Sequence, residues 1–402
     1  MAKHVIILGA GASFTSGYPM NNSLGTILSS PAGFERYVRD QDAASQLKEK
    51  LIMQFKQKEE KGLLPFRNGR FDTVDEFSFH QSHNTRNVVV QELKWYTTLV
   101  FVLNNRQENS GSCQRGDTIG SESSDYLALV KKLFKEGAPC PREDIAVLTY
   151  NYDAYFEFLL SSTFKGRLGD NYAQIPTAFL SGLGDLDADA LLKAEGFCFL
   201  KLHGTSVLPV FVPPPRRRNR AFTFDNVFVD RAQLGELPDE VKVGRPETPP
   251  IFFPWELITE KGEFVTKEDL NDTVGSRQYY EVFKAIWQRG QQEITPAERI
   301  SFVGFSGHRF MEPGLRFLFK ARARQIKAGT KRPLEVVTAN PDSVPKGHRG
   351  NAPPPGGHVD RLQKMLEAAC PGLPFADLPP GKPGLGKVAC YPDFKSFLYA
   401  EL

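Results

Sequence analysis

The opening stretch, Lys3–Met20, constrains the fold of this chain more than any other part of its sequence. His4–Leu8 is a short run rich in β-branched residues, which is typical of a strand buried on both faces of a parallel sheet. Gly9–Ser13 follows at once and forms a turn that a ligand can approach closely, because glycine has no side chain. A strand that leads directly into such a turn favours an α/β fold.

The same turn is a candidate diphosphate site. If a helix begins after it, the free N–H groups and the positive end of the helix dipole face the ligand, and Ser13 adds a hydroxyl donor. However, Phe14 stands where the dinucleotide fingerprint has its third glycine. A strand followed by two spaced glycines is also a common tight turn, so this stretch alone leaves both interpretations open.

Strands and helices are predicted to alternate along most of the chain. Further apolar runs predict strands at 144–150, 197–202, 299–305 and 334–338. Apolar spacing and capping signals predict helices within 34–62, from 74 onwards, and at 84–105, 126–136, 278–289, 313–327 and 359–369. This alternation predicts a Rossmann-like open parallel sheet with helices on both faces. Such sheets bind ligands beyond the carboxyl ends of their strands, where the winding direction reverses.

The character of the sequence changes between residues 205 and 273. Proline and arginine clusters such as Pro213–Arg218 separate short apolar pieces there, which predicts an inserted loop-rich or helical subdomain, or a lid. We therefore expect one Rossmann-like domain formed by residues 1–204 and 274–402, interrupted by this insertion. Three arginines that follow three prolines are more typical of a solvated loop than of a nucleic-acid site.

Composition excludes several classes of protein. No apolar run is long enough to span a bilayer, and the opening strand leaves no room for a signal peptide. Fifty basic residues against 47 acidic ones give a net charge of +3, which does not indicate nucleic-acid or membrane binding. The five cysteines are scattered and odd in number, which disfavours a disulfide framework or a zinc site and favours the cytoplasm.

Glycine-containing or polar loop segments follow four of the predicted strands. They are Gly9–Gly11, Asn151–Asp153, His203–Gly204 and Gly304–Gly307. The carboxyl ends of parallel strands meet at one edge of a sheet, so we expect these four segments to form one site. This coincidence strengthens the ligand-binding interpretation of the opening turn.

Six short motifs occur in order along the chain: Gly9–Ser13, Gly17–Pro19, Thr149–Asp153, Lys201–Thr205, Val303–His308 and Val337–Asp342. Together they resemble the sirtuin-like family, whose NAD-binding loop, T-x-N-x-D motif, L-H-G motif and adenosine-side strands have these residue types in this order. The resemblance implies that NAD is the ligand. It implies that NAD contacts Gly9, Ala10, Gly11, Ala12, Ser13, Tyr18, Pro19, Thr149, Gly304, Ser306, His308 and Asn340, with Ser306 and Asn340 on the adenosine half.

Two departures from the family refine this expectation. Sirtuin deacylases carry a four-cysteine zinc ribbon after the histidine motif, and residues 205–273 contain no cysteine. Their phenylalanine-glycine-glutamate stretch is also not evident, and Ile251–Pro254 lies near its place. The chain thus looks more like the zinc-free sirtuin-like NAD hydrolases of bacterial anti-phage defence. That resemblance implies cleavage of NAD to nicotinamide and ADP-ribose, held back until infection is sensed.

Three residues are the candidates for catalysis. The amide of Asn151 both donates and accepts hydrogen bonds, which suits it to hold a ribose or a water molecule. His203 has the residue type of a base toward a ribose hydroxyl or water, and Asp153 is expected to orient Asn151 or to bind ribose. The alternatives are structural, because Asn151 and Asp153 suit helix N-caps and His203 suits a turn. His308 is the second histidine candidate, on the surface or the adenine side.

Three functions are compatible with these sequence features. The leading one is an NAD glycohydrolase that is controlled by a partner protein, such as an ATPase or a nucleotide-processing sensor, or by oligomerisation, since an unregulated enzyme would be toxic. The second is a module that senses NAD or an ADP-ribose-type signal without turnover. The third is an NAD-dependent deacylase, which the missing zinc ligands disfavour.

Overall fold

In the computed structural model, the described part of the chain comprises residues 2–13, 18–19, 21–41, 45–61, 73–83, 87–109, 125–134, 141–153, 155–156, 159–160, 192–193, 196–204, 251–268, 270, 280–307, 311–340, 357–373, 375–376, 384–385 and 387–402. Its strands are β1 (His4–Leu8), β2 (Ile145–Thr149), β3 (Cys198–Lys201), β4 (Arg299–Val303), β5 (Glu335–Ala339), β6 (Gly384–Leu385) and β7 (Val388–Tyr391).

These strands form one sheet in the order β3-β2-β1-β4-β5-β7-β6. Six of them are parallel, and the short edge strand β6 pairs antiparallel with β7. The chain runs outward from β1 to β3 on one side and from β4 to β7 on the other. The winding direction therefore reverses between β1 and β4, which is where open sheets of this kind bind ligands.

The helices, numbered in chain order, are α1 (Asn21–Leu28), α2 (Pro31–Asp40), α3 (Ser45–Glu60), α4 (Val74–His83), α5 (Asn87–Asn109), α6 (Asp125–Leu133), α7 (Pro254–Leu257), α8 (Tyr280–Ile294), α9 (Glu312–Lys327), α10 (His358–Ala369) and α11 (Phe394–Glu401). None of these described helices combines the length and the apolar character that a bilayer crossing requires.

The two faces of the sheet bury two separate hydrophobic cores. In β1, Ile6 and Leu8 point to the core formed with α1–α6 and α11, whereas Val5 and Ile7 point to the core formed with α8–α10. This alternation follows from the two-residue period of a strand. A central strand that is apolar on both faces thus fixes a three-layer arrangement, and the expected α/β open parallel sheet with helices on both faces is confirmed.

The described residues depart from the sequence-based expectation in three places. The turn after β1 leads into a short 3₁₀ helix, Ala10–Ala12, and the first α-helix begins only at Asn21. Helix α1, strands β6 and β7 and helix α11 have no counterpart among the predicted elements. Residues 251–258, from the end of the predicted insertion, pack into the two main cores, whereas residues 205–250 lie outside the described residues.

Candidate active site

Strand register brings the loops that follow β1, β2, β3 and β4 to one edge of the sheet. Leu8 is aligned with both Thr149 of β2 and Val303 of β4. The ladder continues one step beyond the strands, because the Tyr150 N–H donates to the Leu8 carbonyl at 2.9 Å. The Leu202 N–H donates to the Thr149 carbonyl, also at 2.9 Å. The polar residues that follow these strands therefore emerge side by side.

The glycines of these loops allow two backbones to touch. Gly304 has φ of +61°, and a Cβ added to it would lie 2.0 Å from the Ala12 nitrogen. A Cβ on Gly9 would lie 2.6 Å from the Gly304 carbonyl oxygen, and one on Gly11 would lie 3.0 Å from Gly304 Cα. No L-residue with a side chain fits such an approach. The spaced glycines therefore pack the β1 loop against the β4 loop.

A cavity of about 50 Å³ lies where these loops meet. The described residues that line it are Gly9, Ala10, Ser13, Pro19, Leu24, Asp75, Phe101, Tyr150, Asn151, Tyr152, Asp153, His203, Phe305, Ser306 and Met311. The cavity has room for a few water molecules, whereas ligand pockets usually measure several hundred Å³.

Most of the glycine-loop N–H groups already have backbone acceptors. Gly9 donates to the Val303 carbonyl, Gly11 to the Gly304 carbonyl and Ala12 to the Gly9 carbonyl, each at 2.9 Å. A diphosphate on this loop would therefore draw on Ala10 and Ser13, which line the cavity, or break these bonds. The Ser13 hydroxyl donates to the Ala10 carbonyl at 3.2 Å.

Asn151 is held rigidly at the end of β2. Its Nδ2 donates to the Gly9 carbonyl oxygen at 2.9 Å and to the Tyr126 hydroxyl at 2.7 Å. Its backbone N–H donates to Thr149 Oγ1 at 3.0 Å. Its Oδ1 is buried and has no hydrogen-bond partner within the described part of the chain. The amide thus presents one unused acceptor beside the cavity.

Asp153 does not orient Asn151, contrary to one of the two roles expected for it. Its Oδ1 accepts from the Tyr155 N–H at 3.3 Å, and its Oδ2 has no partner among the described residues. Burial raises the pKa of this carboxyl, and the nearby Lys201 ammonium and Ser13 hydroxyl oppose that shift. The Lys201 ammonium donates to the Asp153 carbonyl, which fixes the loop in place.

His203 lies in the turn after β3, within an aromatic enclosure. The Tyr150 ring meets it edge-on, with the ring centroids 4.6 Å apart. The Trp287 indole donates to the neighbouring Leu202 carbonyl at 3.0 Å. Burial lowers the pKa of His203 to about 3, so the imidazole is neutral at physiological pH. Its Nε2 has no hydrogen-bond partner within the described residues.

The expected ligand-contacting residues divide into two groups. Gly9, Ala10, Ser13, Pro19 and Ser306 line the cavity together with Asn151, Asp153 and His203. The described residues that do not line it are Gly11, Ala12, Tyr18, Thr149, Gly304 and Asn340. His308 lies outside the described residues.

Residues of the second group make structural contacts instead. Tyr18 is buried and stacks on Phe101 with the ring centroids 6.2 Å apart. Thr149 Oγ1 accepts a hydrogen bond from the Asn151 N–H. The Gly304 backbone packs directly against Gly11 and Ala12 of the glycine loop. Asn340 is placed at the end of β5, where its N–H donates to the Tyr391 carbonyl at 3.3 Å.

Sequence reasoning missed the cavity residues that come from helices. Asp75 lies in the first turn of α4, and Phe101 lies in α5. Tyr126 lies in α6, and its hydroxyl orients Asn151. No local pattern marks these residues, since only the packing of the helices on the sheet brings them to this edge. By contrast, Tyr150 and Tyr152 flank Asn151 and belong to the Thr149–Asp153 motif.

The chain matches no protein-family model and no curated protein. Among the described residues, no group of three His, Cys, Asp or Glu side chains is placed to hold a metal ion. The cavity and the side chains that line it are therefore the features from which a function can be inferred.

Proposed function

We propose that this chain is an NAD⁺ glycohydrolase, which cleaves NAD⁺ to nicotinamide and ADP-ribose. The observation that carries the proposal is the convergence of Asn151, Asp153 and His203 with the glycine loop on one cavity, at the point where the winding of the sheet reverses. These segments come from loops that are far apart in the sequence. A purely structural role for each of them would not require their polar atoms to share one cavity.

The reaction requires positioning more than strong acid catalysis. The bond from ribose C1′ to the nicotinamide nitrogen breaks, and its electron pair goes to the pyridinium ring, which leaves as neutral nicotinamide. The ribose becomes an oxocarbenium-like centre, to which water adds with loss of a proton. A rigid amide acceptor such as Asn151 Oδ1 can hold a ribose hydroxyl or the attacking water. The two bonds to its Nδ2 keep that acceptor in one orientation.

His203 would take the proton in this scheme. Its imidazole is neutral because burial lowers its pKa to about 3, so a ring nitrogen keeps its lone pair at physiological pH. A pKa this low makes the imidazole a weak base, so it assists by accepting a hydrogen bond from the attacking water as the proton is lost.

An NAD-consuming enzyme that was always active would deplete the NAD of its own cell. We propose that a partner protein or self-association of the chain controls turnover, as expected for an NAD-depleting effector of bacterial anti-phage defence in the cytoplasm. Activity then rises with protein concentration or on adding the partner.

Nicotinamide release from NAD⁺, followed by chromatography, tests this function. Asn151→Ala and His203→Ala should each reduce the rate by at least about a hundredfold, which is the usual contribution of such groups. His80→Ala, a partly buried histidine outside the cavity, is the matched control and should retain wild-type activity. Full activity in both site variants would contradict the assignment.

A second function, ligand sensing without turnover, is favoured by one observation. The low pKa of His203 is better suited to a neutral hydrogen-bonding group than to a base. In that case the wild-type chain binds NAD⁺ or ADP-ribose in a calorimeter and forms no nicotinamide under any condition that promotes binding. Stoichiometric binding together with product formation would exclude it.

A further inference from the structure

The hydroxyl of Tyr150 is buried and has no hydrogen-bond partner among the described residues. Tyr150 directly follows β2, is 5% exposed and lines the cavity. Burial raises the pKa of this phenol well above its ordinary value, so the hydroxyl keeps its proton and can donate a hydrogen bond. Buried polar groups in folded proteins almost always have a partner, so an unpaired hydroxyl beside a cavity indicates a role in ligand binding.

This hydroxyl lies beside the first turn of α9. Gly314 is the third residue of that helix, and a Cβ added to it would lie 3.6 Å from Tyr150 Oη. Because the Cβ atoms of a helix tilt toward its N-terminus, Tyr150 Oη lies on the N-terminal side of Gly314. The same added Cβ would lie 2.6 Å from Trp287 Cη2. Glycine at this position therefore allows the indole and the phenol to pack against the first turn of α9.

The N-terminus of α9 brings hydrogen-bond donors to the same place. The first N–H groups of an α-helix have no acceptor inside the helix, and the dipole of this 16-residue helix places partial positive charge there. Met311, the described residue before the helix, lines the cavity and makes no side-chain cap. The Glu312 carboxylate of the first turn lies 2.6 Å from the Arg316 guanidinium, which offsets its negative charge. These features favour an anion beside Tyr150.

We propose that the first turn of α9 and the Tyr150 hydroxyl together bind a phosphate group of the dinucleotide. This inference rests on the function proposed above and adds the place where the diphosphate binds. The glycine loop is a poorer candidate, because the Gly9, Gly11 and Ala12 N–H groups already donate to backbone carbonyls. One of the two carboxyl groups that line the cavity, that of Asp75, comes from α4, which packs on the opposite face of the sheet from α9.

The stability of a hydroxyl-deleted variant separates ligand binding from a structural role. Tyr150→Phe removes a hydroxyl that has no partner within the described fold, so the variant should unfold at the same urea concentration as the wild type or at a higher one. The matched control is Tyr37→Phe, whose hydroxyl lies outside the cavity and donates to the Val100 carbonyl at 2.7 Å. The control should unfold at a lower urea concentration and keep its ligand affinities within about twofold of wild type.

Calorimetric titration of the full chain with ADP-ribose, and displacement of ADP-ribose by sodium pyrophosphate, test the inference. Pyrophosphate presents the same charged oxygens without the ribose or the adenine. In Tyr150→Phe the affinity for each of the two ligands should fall by at least about tenfold, the effect of losing one hydrogen bond to a charged group. Nicotinamide release from NAD⁺ by the wild type is measured alongside.

The outcomes separate the inference from the function on which it rests. If Tyr150→Phe binds both ligands as tightly as the wild type, or loses stability together with affinity, the inference is overturned and the glycohydrolase proposal stands. The same holds if only the ADP-ribose affinity falls, because the hydroxyl then contacts another part of the ligand. If binding depends on Tyr150 as expected but NAD⁺ is never cleaved, the proposed reaction fails and the phosphate site stands. If the wild type binds neither ligand, the phosphate site is refuted.

Discussion

At the scale of single residues, the buried His203 and the partly buried His4 are sensitive to acid. Burial lowers the pKa of His203 to about 3, and burial together with the nearby Arg299 guanidinium lowers that of His4 to about 4. An unfolded chain binds protons at histidine near pH 6.5. The unfolded state is therefore favoured as the pH falls below that value, because the folded state takes up these protons only at a much lower pH.

Stability should consequently be greatest above about pH 6.5 and fall between about pH 6.5 and 3. We expect His203 alone to contribute about 1.4 kcal/mol per pH unit to this slope over most of that range. The measurement is urea unfolding of the wild type and of His203→Gln from pH 7 to pH 4.5. The variant should show the shallower slope, and parallel slopes would mean that His203 is not neutral in the folded chain.

At the scale of elements, the segment around α7 is joined to α5 through a buried ion pair. Lys94 Nζ lies 2.7 Å from Glu256 Oε1, and the two side chains are 1% and 4% exposed. The ammonium also lies 5.0 Å from the ring centroid of Phe252 and 5.8 Å from that of Phe253. A helix of four residues has little stability of its own, so these contacts hold residues 251–258 beside the His203 turn.

Removal of one member of this pair should be costly. We expect Lys94→Met to lower the free energy of unfolding by about 3–5 kcal/mol, because the Glu256 carboxylate stays buried without its ammonium partner. The double variant Lys94→Met/Glu256→Gln should recover part of the loss.

The control for this prediction is Lys364→Met, which breaks a pair with Asp360 in which the lysine side chain is 72% exposed. That change should cost less than about 1 kcal/mol. Denaturant titration of the wild type and these three variants measures the losses. Equal, small effects for the buried and the exposed pair would contradict this role of the ion pair in the α7 segment.

Elements differ in how far the sequence determines them. The central strands are predictable to within one or two residues, because runs such as Ile145–Thr149 are apolar on both faces. Val388–Tyr391 escapes prediction because it follows directly on a proline- and glycine-rich loop, with which its short apolar run merges. The glycine turn leads into a 3₁₀ helix and not into an α-helix, since the Gly9 and Gly11 N–H groups bond to the end of β4 and the loop after it.

At the scale of the whole molecule, topology determines which residues meet. The motif residues Asn151, Asp153 and His203 are expected at one edge of the sheet, and the structure brings them together with the Gly9 loop. Asp75 and Tyr126 could not be placed there from the sequence, since they come from helices whose docking is a tertiary property. A sequence pattern identifies the residues that follow strands. It does not identify the helix residues that pack at the same edge of the sheet.

The central claim is that four separate loops bind one dinucleotide. Hydrogen–deuterium exchange of the full chain, with and without NAD⁺, measures this directly. We predict that NAD⁺ slows amide exchange in residues 9–13, 149–153, 201–204 and 303–306 together. Helix α3, which contributes no residue to the cavity, serves as an unaffected internal reference. Protection confined to one of these segments, or located elsewhere while NAD⁺ is bound, would contradict the claim.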